Sequence, residues 1–250
     1  MLVKLIGKTQ GQGEFEGVSI DEMIVGQARV STPKKDQELF DKPQGLIRFC
    51  ALNLHWSIFD MADLTFEIHT SRAIGRQLLR HWTIKPQEFS QRYSNVVSFE
   101  PLDIRMKGST NRQGSLSEVV AHVDVNNRTS YGDASISNAV IDALETSKES
   151  YDNLLAMGVA NESARMILPE VTTTKLYMKG SVRSWITFLS ARLTSHTQKE
   201  ARDIAEAIKE IFIKECPMIA EAFYNFETHD PEMSVLDRIV LEKYKMYNKL

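Results

Sequence analysis

The spacing of apolar residues switches repeatedly between the period of a strand and that of a helix, and this switching constrains the fold more than any other feature of the sequence. Apolar and polar residues alternate at 64–68, which is typical of a half-buried strand. A helical segment at 71–82 follows at once, and a strand-like segment at 171–178 is likewise followed by a helical segment at 181–193. The pattern therefore predicts a mixed α/β protein in which helices dominate.

Capping residues and prolines predict the remaining elements. The segment at 1–6 is typical of a strand, and Ser19 is a good N-cap for a helix that runs to about Val30. The other predicted helices are a stretch after Pro33 that Pro43 and Gly45 break in two, a helix from Ser137 to Gly158, a short helix capped by Asn161 and stopped by Pro169, and a helix at 200–214.

Two segments show no clear period. The segment 105–137 is polar and rich in Asn, Gly and Ser, which predicts a long, mobile surface loop or a lid. The last residues, EKYKMYNKL, predict a charged and frayed tail.

Length and charge exclude several classes of protein. A chain of 250 residues, 42% of them apolar, is long enough to bury its own core, and we assign 1–250 to a single domain. The formal net charge of −3 lacks the positive footprint of a protein that coats long nucleic acid. We therefore expect small anionic ligands and no nucleic-acid polymer.

The cysteines and the amino terminus indicate a reducing compartment. Cys50 and Cys216 have no CxxC spacing and no neighbouring histidine, so we expect neither a disulfide nor a metal site. The amino terminus is too short in apolar residues for a signal sequence, and no stretch approaches the roughly 18 apolar residues needed to cross a bilayer. A cytoplasmic protein without a membrane partner is expected.

The densest polar cluster, at 76–94, begins on a predicted helix. Gln77, Arg80 and His81 are three and four residues apart, which would place them on one helical face. Three such side chains on one face can contact one ligand. The alternative is a solvated helix face with a surface ion pair, and residue types alone leave both interpretations open.

Beyond Pro86 the cluster is predicted to be extended. Alternation along an extended backbone would send Glu88, Ser90 and Arg92 to one side and Phe89, Gln91 and Tyr93 to the other. An arginine, a hydroxyl and a glutamine that converge on one point suit a phosphate monoester, because a guanidinium meets the charge and neutral donors meet the other oxygens.

A second polar cluster surrounds the apolar helix at 181–193. Arg183 and Thr187 would share one face, and Arg192 and His196 another if the helix continued that far. Functional groups on opposite sides suggest a helix that contacts a ligand of its own subunit and one of a neighbour. Scattered surface charge is the alternative, and Arg165 could equally be a dipole partner at the end of a short helix.

Together the two clusters resemble the flavin-dependent thymidylate synthases, a family marked by Arg-His-Arg, seven residues, then Ser. This chain has Arg80-His81-Trp82, seven residues, then Ser90. Further blocks that resemble the family occur in order: Ala28-Arg29-Val30-Ser31, His55, Asn111-Arg112-Gln113-Gly114-Ser115, Ala164-Arg165, and Val182-Arg183-Ser184 through Arg192, Ser195, His196 and Gln198.

The resemblance implies a fold and a set of site residues. The fold is α/β, with a small, mostly antiparallel sheet packed with long helices, assembled as a homotetramer whose active sites lie at subunit interfaces and hold FAD and dUMP. The residues expected around the nucleotide are Gln77, Glu88, Ser90, Arg92, Arg165 and Arg192. Those expected around the flavin are Ser57, Asp60, Arg80, His81, Trp82, Arg183, Thr187 and His196. Arg192, Ser90, His55 and Tyr93 are expected near the reacting atoms.

The reaction that the resemblance implies is reductive methylation of dUMP to dTMP, with methylenetetrahydrofolate as one-carbon donor and NADPH-reduced FAD as hydride source. Ser90 is assigned to nucleotide binding, because a serine nucleophile needs an activating base. Trp82 replaces the third arginine of the motif. That departure leaves open a non-catalytic nucleotide-binding homologue. Further departures stand at Lys85, Pro86, Gln87, Ser181 and Thr187, and they leave open methylation or hydroxymethylation of another pyrimidine nucleotide such as dCMP. A small-RNA binder that uses Arg76, Arg80 and Arg92 is the third alternative.

Overall fold

The computed structural model describes residues 1–31, 39–40, 42–108, 114–224 and 235–247. The chain divides into two compact units. The first unit comprises Met1–Leu2, Ile68–Arg80 and Gln87–Leu176, and the second comprises Val3–Glu67, His81–Pro86 and Tyr177–Leu250. That 1–250 form a single domain stays a prediction.

Helices outnumber strands in the described ranges. The helices are α1 (Ile20–Ala28), α2 (Pro43–Leu52), α3 (Arg72–Leu79), α4 (Ala134–Ala156), α5 (Asn161–Ala164), α6 (Val182–Arg192), α7 (Lys199–Glu215), α8 (Pro217–Phe223) and α9 (Val235–Tyr247). The strands are β1 (Leu2–Lys8), β2 (Asp63–Ser71), β3 (Lys85–Glu88), β4 (Leu102–Lys107), β5 (Ser115–Asp124), β6 (Thr129–Gly132) and β7 (Thr173–Ser181). They form two small sheets, ordered β1-β2-β7-β3 and β4-β5-β6.

The prediction of a long loop at 105–137 is wrong. The segment holds most of a three-stranded antiparallel sheet, in which Leu102 lies opposite Val123 and Val123 opposite Ser130. Ala121 and Val123 are buried, and β5 packs against α4. A short strand period is present in Leu102, Ile104 and Met106 of β4 and in Val119, Ala121 and Val123 of β5, but it lies among exposed polar residues that are typical of a loop.

The core of the second unit is built around the tryptophan of α6. Trp185 is fully buried, donates from Nε1 to the carbonyl of Leu64 at 3.1 Å, and packs edge-on against Phe66 at 4.7 Å between ring centroids. Its other neighbour, Phe188, lies 5.4 Å away in the same edge-on geometry. This cluster holds α6, which carries several predicted site residues, in a fixed position.

Several local predictions are confirmed. Ser19 caps α1 in a complete capping box with Glu22, and Ser181 caps α6. Cys50 and Cys216 are buried free thiols. The strand and helix at 64–68 and 71–82 are present as β2 and α3, although α3 ends at Leu79.

Three local predictions are wrong. Gly45 does not break a helix, since it lies within α2, which begins at Pro43, where the missing N–H is not needed; the earlier part of the predicted stretch, at 34–38, lies outside the described residues. The short helix α5 is capped by Ala160 and not by Asn161, which is its first residue. The segment 242–247 is not a frayed tail, since it forms the last part of α9.

A buried carboxylate joins α1 to α8 in the second unit. Asp21 is fully buried and accepts hydrogen bonds from the backbone nitrogens of Met218 at 2.9 Å and Ile219 at 3.3 Å. These are N–H groups of the first turn of α8, which have no partner within the helix. Burial raises the pKa of Asp21 to about 6, against the lowering effect of these two bonds.

The raised pKa predicts how stability depends on pH. The folded protein holds the Asp21 proton more tightly than the unfolded chain, so this group stabilises the fold as the pH falls through about 6. Relative to Asp21→Asn, the wild-type free energy of unfolding is expected to rise by about 1.4 kcal/mol between pH 8 and pH 5. Urea denaturation at both pH values measures this difference. Asp152→Asn, at an exposed position on α4, is the control. If the difference in free energy of unfolding between the wild type and Asp21→Asn is the same at pH 8 and pH 5, the prediction is contradicted.

Candidate active site

In the first unit, α3 packs against the strand that pairs with β3 and approaches the predicted nucleotide residue Glu88. Glu88, at the end of β3, accepts a hydrogen bond from the Thr174 hydroxyl at 2.8 Å. α3 approaches closely because it has a glycine at this point: a Cβ on Gly75 would lie 3.2 Å from the Thr174 methyl carbon and 3.9 Å from Glu88 Oε1. Gln77 lies two residues further along the same helix.

The predicted extended segment ends at β3, and the next residues form a turn. The N–H of Tyr93 donates to the carbonyl of Ser90 at 3.2 Å, and the N–H of Arg92 donates to Ser90 Oγ at 3.3 Å. The predicted alternation from Ser90 onward is therefore wrong: Gln91 is 3% exposed, whereas Tyr93 is 85% exposed. A serine hydroxyl that bonds its own backbone competes with an extended conformation, which explains the turn.

The two arginines predicted to meet a phosphate both lie beside α5. Arg92 Nη2 is 3.2 Å from Glu162 Oε2, and Asn161 Nδ2 donates to the carbonyl of Arg92 at 3.4 Å. Arg165 follows Glu162 by three residues. Within the described ranges, the buried Nε of Arg165 has no hydrogen-bond partner. An anionic ligand with several oxygens would supply the missing acceptor.

The predicted shared face of Gln77, Arg80 and His81 is wrong. α3 ends at Leu79, Arg80 is its C-cap, and His81 belongs to the second unit. Arg80 and Gln77 remain in the first unit, on or next to α3.

In the second unit, an acidic side chain organises the start of α6. Asp60 accepts a hydrogen bond from Ser181 Oγ at 2.7 Å and pairs with Arg183 Nη1 at 3.0 Å. The guanidinium of Arg183 also lies over the ring of Trp56, 5.5 Å from its centroid. The predicted site residues Arg183 and Asp60 and the neighbouring Trp56 thus bring a positive charge, a carboxylate and an indole ring together.

A histidine of the motif pairs with the next turn of α6. His81 Nε2 is 3.2 Å from the Thr187 hydroxyl, and the His81 ring packs edge-on against Phe188 at 5.5 Å. Burial lowers the pKa of His81, and the charge of Arg192 lowers it further. The lowered pKa favours the neutral imidazole, and Thr187 and Arg192 lie in its surroundings.

The remaining predicted residues of the second unit are exposed. They are His55, Ser57, Trp82 and His196. Trp82 is 83% exposed, so its ring does not pack into the core. His196 lies in a turn beyond the end of α6, so the prediction that it shares a helical face with Arg192 is wrong.

Sequence reasoning missed several residues of the site. Glu162 could have been found from its position one helical turn before Arg165, and Trp56 from its place between His55 and Ser57. The contact in which Arg72 Nη1 donates to Gln91 Oε1 has no periodic signal, because the two residues are separated by a helix and a strand.

Comparison with known proteins gives the family. The family model described as thymidylate synthase complementing protein matches residues 18–218. A flavin-dependent thymidylate synthase from Synechocystis is 41% identical over 224 residues, 89% of this chain and 99% of the relative. A probable flavin-dependent thymidylate synthase of Paramecium bursaria Chlorella virus 1 is 40% identical over 225 residues, 89% of this chain and 98% of the relative.

A solved structure agrees with these relatives. The UMP/dUMP methylase PolB from Streptomyces cacaoi, bound with 5-Br dUMP, superposes with a TM-score of 0.71 at 30% identity and covers 90% of this chain and 95% of that one. The chain belongs to the flavin-dependent thymidylate synthase family. No helix among the described residues is long and apolar enough to span a membrane, and the cytoplasmic location stays a prediction.

Proposed function

We propose that this protein methylates dUMP to dTMP, with methylenetetrahydrofolate as one-carbon donor and FAD, reduced by NADPH, as hydride source. One observation carries the proposal: Arg92 and Arg165 lie beside α5, and the buried Nε of Arg165 has no acceptor among the described residues. A nucleotide phosphate supplies that acceptor. The relatives support the proposal because they are named flavin-dependent thymidylate synthases.

The donor set of the second unit fits a flavin dinucleotide. Arg183 offers a half-exposed guanidinium for a pyrophosphate, and Trp82 offers an exposed ring for stacking. The residues that would hold FAD are Ser57, Asp60, Arg80, His81, Trp82, Arg183, Thr187 and His196. Bound FAD would supply the hydride that completes the methyl group.

The chain itself binds, orients and stabilises charge. Arg92 and Arg165 meet the phosphate, while Gln77 and Glu88 orient the sugar. Arg192 donates to a pyrimidine carbonyl and stabilises the negative charge that develops as hydride or a nucleophile reaches the ring. The family resemblance assigns His55 and Tyr93 to the surroundings of the folate and the flavin. The balance is complete: C5 bonds to the methylene carbon of the folate and loses its proton to solvent, and the methylene carbon receives the hydride and becomes the methyl group. Its two C–N bonds to the folate break, both nitrogens take protons, and the folate leaves as tetrahydrofolate.

Ser90 is a phosphate donor in this proposal. Its Oγ accepts the N–H of Arg92, which leaves the hydroxyl proton free to donate to a ligand oxygen. Its recorded hydrogen bonds in the described part of the chain include no histidine or carboxylate that could act as its base.

Ser90→Ala is therefore expected to weaken dUMP binding by about tenfold and to leave measurable turnover, since one hydrogen bond to a charged group is lost. Calorimetric titration and steady-state kinetics measure the two quantities. Normal binding with complete loss of turnover would make Ser90 a nucleophile and contradict the assignment.

The homotetramer implied by the family resemblance is also part of the proposal. Trp82 and Tyr93 are each more than four-fifths exposed, although both are predicted site residues. A neighbouring subunit that completes the site would cover such rings. Light scattering on the purified protein gives the molar mass, and a monomer that turns over dUMP would contradict this arrangement.

Flavin absorption tests the cofactor directly. The purified protein is expected to be yellow, or to become so with added FAD, and NADPH without oxygen should bleach it faster when dUMP is present. A colourless protein that FAD does not reconstitute would favour a non-catalytic nucleotide-binding homologue.

A further inference from the structure

We propose that Arg72 and Gln91 are positioning residues, which fix the turn that carries Ser90 and Arg92 and thereby set the affinity for the nucleotide phosphate. The inference rests on the proposed function, since it names what holds that function's phosphate ligands in place. Neither residue is expected to touch the substrate. Both lie in the first unit, as do Ser90 and Arg92.

The turn has one buried side chain, that of Gln91, which lies in sequence between the two proposed phosphate-binding residues, Ser90 and Arg92. Gln91 is 3% exposed, whereas Arg92 is about half exposed and Ser90 is partly exposed. The hydrogen bonds within the turn, from Arg92 N to Ser90 Oγ and from Tyr93 N to Ser90 O, set its shape. They do not attach it to the rest of the unit. Arg92 contacts Asn161 and Glu162 on the side of α5, and the buried Gln91 side chain attaches the turn to α3.

The group that receives this side chain is the guanidinium of Arg72. Arg72 Nη1 donates to Gln91 Oε1. In the described ranges the Gln91 amide nitrogen has no hydrogen-bond partner, so the bond from Arg72 is what orients the amide. A charged donor that meets a neutral amide in a buried place makes a stronger hydrogen bond than a neutral pair does.

Arg72 is itself held firmly. It is the first residue of α3, its N–H donates to the carbonyl of Thr172 at 2.9 Å, and the N–H of Ala73 donates to the carbonyl of Glu170 at 3.0 Å. Thr172 is fully buried. The anchor therefore connects the turn to a rigid helix end and not to another loop.

The same helix carries another predicted nucleotide residue. Gln77 lies on α3 five residues after Arg72, so one rigid element sets the spacing between Gln77 and the pair Ser90 and Arg92. A displacement of about 1 Å is enough to lose much of the benefit of prepositioned ligands. The buried Gln91 side chain therefore fixes the positions of both neighbouring phosphate-binding residues, Ser90 and Arg92.

Removal of either partner has a defined consequence. An apolar side chain of similar size, Gln91→Met, leaves the partly buried Arg72 guanidinium without this acceptor, and the turn is expected to shift. Gln91→Glu keeps an oxygen at the same position and adds a charge opposite to that of Arg72. The glutamate variant should therefore restore what the methionine variant loses.

The test compares dUMP with deoxyuridine, which lacks the phosphate, on the FAD-loaded protein. Gln91→Met and Arg72→Met are each expected to weaken dUMP binding about tenfold or more, with deoxyuridine binding, by competition, changed less than twofold. The double variant should be no weaker than either single one, because the two residues act as a unit. Gln91→Glu should stay within about threefold of wild type.

Thermal unfolding and flavin absorbance show whether each variant is folded. Unchanged dUMP affinity in Gln91→Met, or equal losses for dUMP and deoxyuridine, would overturn the positioning role. If Gln91→Glu binds dUMP as weakly as Gln91→Met does, the positioning role is also overturned. This comparison uses dUMP alone, so it holds even if binding of deoxyuridine is too weak to measure. If the wild-type protein itself fails to bind dUMP, the proposed function fails instead.

Discussion

Arg192→Ala is expected to lower kcat for dUMP methylation by about 100-fold or more, with FAD still bound. Removal of one donor that stabilises developing negative charge typically has an effect of this size. Arg192 lies in the last turn of α6, the helix that Trp185 fixes in the core of the second unit. The donor is therefore prepositioned on a rigid element, and its loss cannot be offset by a neighbouring loop.

A second readout separates this role from a general loss of structure. Burial lowers the pKa of His81 first, and the charge of Arg192 lowers it further, so Arg192→Ala is expected to raise the pKa of His81. NMR titration of the imidazole measures the change. Arg192→Lys retains the charge but loses the planar fork, so it should keep the low His81 pKa and still lose turnover. A near-normal kcat in Arg192→Ala would contradict the assignment of Arg192 to the active site.

Arg92→Ala is expected to weaken dUMP binding by about 100-fold and to leave FAD binding unchanged. A charge-assisted hydrogen bond to a phosphate contributes about 1.5–3 kcal/mol, and the loss of a bidentate pair lies at the upper end. In the described structure the Arg92 guanidinium is paired with Glu162, which a phosphate dianion would displace. Calorimetric titration of the FAD-loaded protein gives the dissociation constant.

Arg48→Ala is the matched control for Arg92→Ala. Arg48 is also exposed and paired with a glutamate, since its Nη2 lies 3.8 Å from Glu242 Oε2, but it lies on α2 in the second unit. An exposed pair of this kind contributes little to stability, so the control should bind dUMP like the wild type. Equal losses in both variants would show that the effect of Arg92→Ala is not specific to a phosphate site.

The elements that sequence predicted well are those in which apolar period and capping agree. β2 has a clear strand period, and α3 and α6 combine a helical period with a serine at the N-cap position; all three are present in the structure. The sheet of β4, β5 and β6 was missed because its apolar alternation is confined to β4 and the second half of β5, among exposed polar residues that are typical of a loop.

The residues of the candidate site were predicted one by one from the resemblance to a family. The contacts among these residues were not predicted. The bond between His81 and Thr187 spans more than a hundred positions, and no spacing rule reaches that far. The turn at Ser90 was missed because a local bond from backbone to hydroxyl overrides the extended pattern that the residue types suggest. The Arg72–Gln91 contact depends on how α3 packs, which a sequence pattern does not encode.

Release of tritium from dUMP labelled at C5 tests the central claim most directly, because methylation at that carbon must expel its hydrogen. With FAD, NADPH and methylenetetrahydrofolate present, we predict tritium in water in proportion to dTMP formed, and far less from dCMP labelled at the same position. Absence of release from dUMP by a flavin-loaded protein, or faster release from dCMP, would contradict the account.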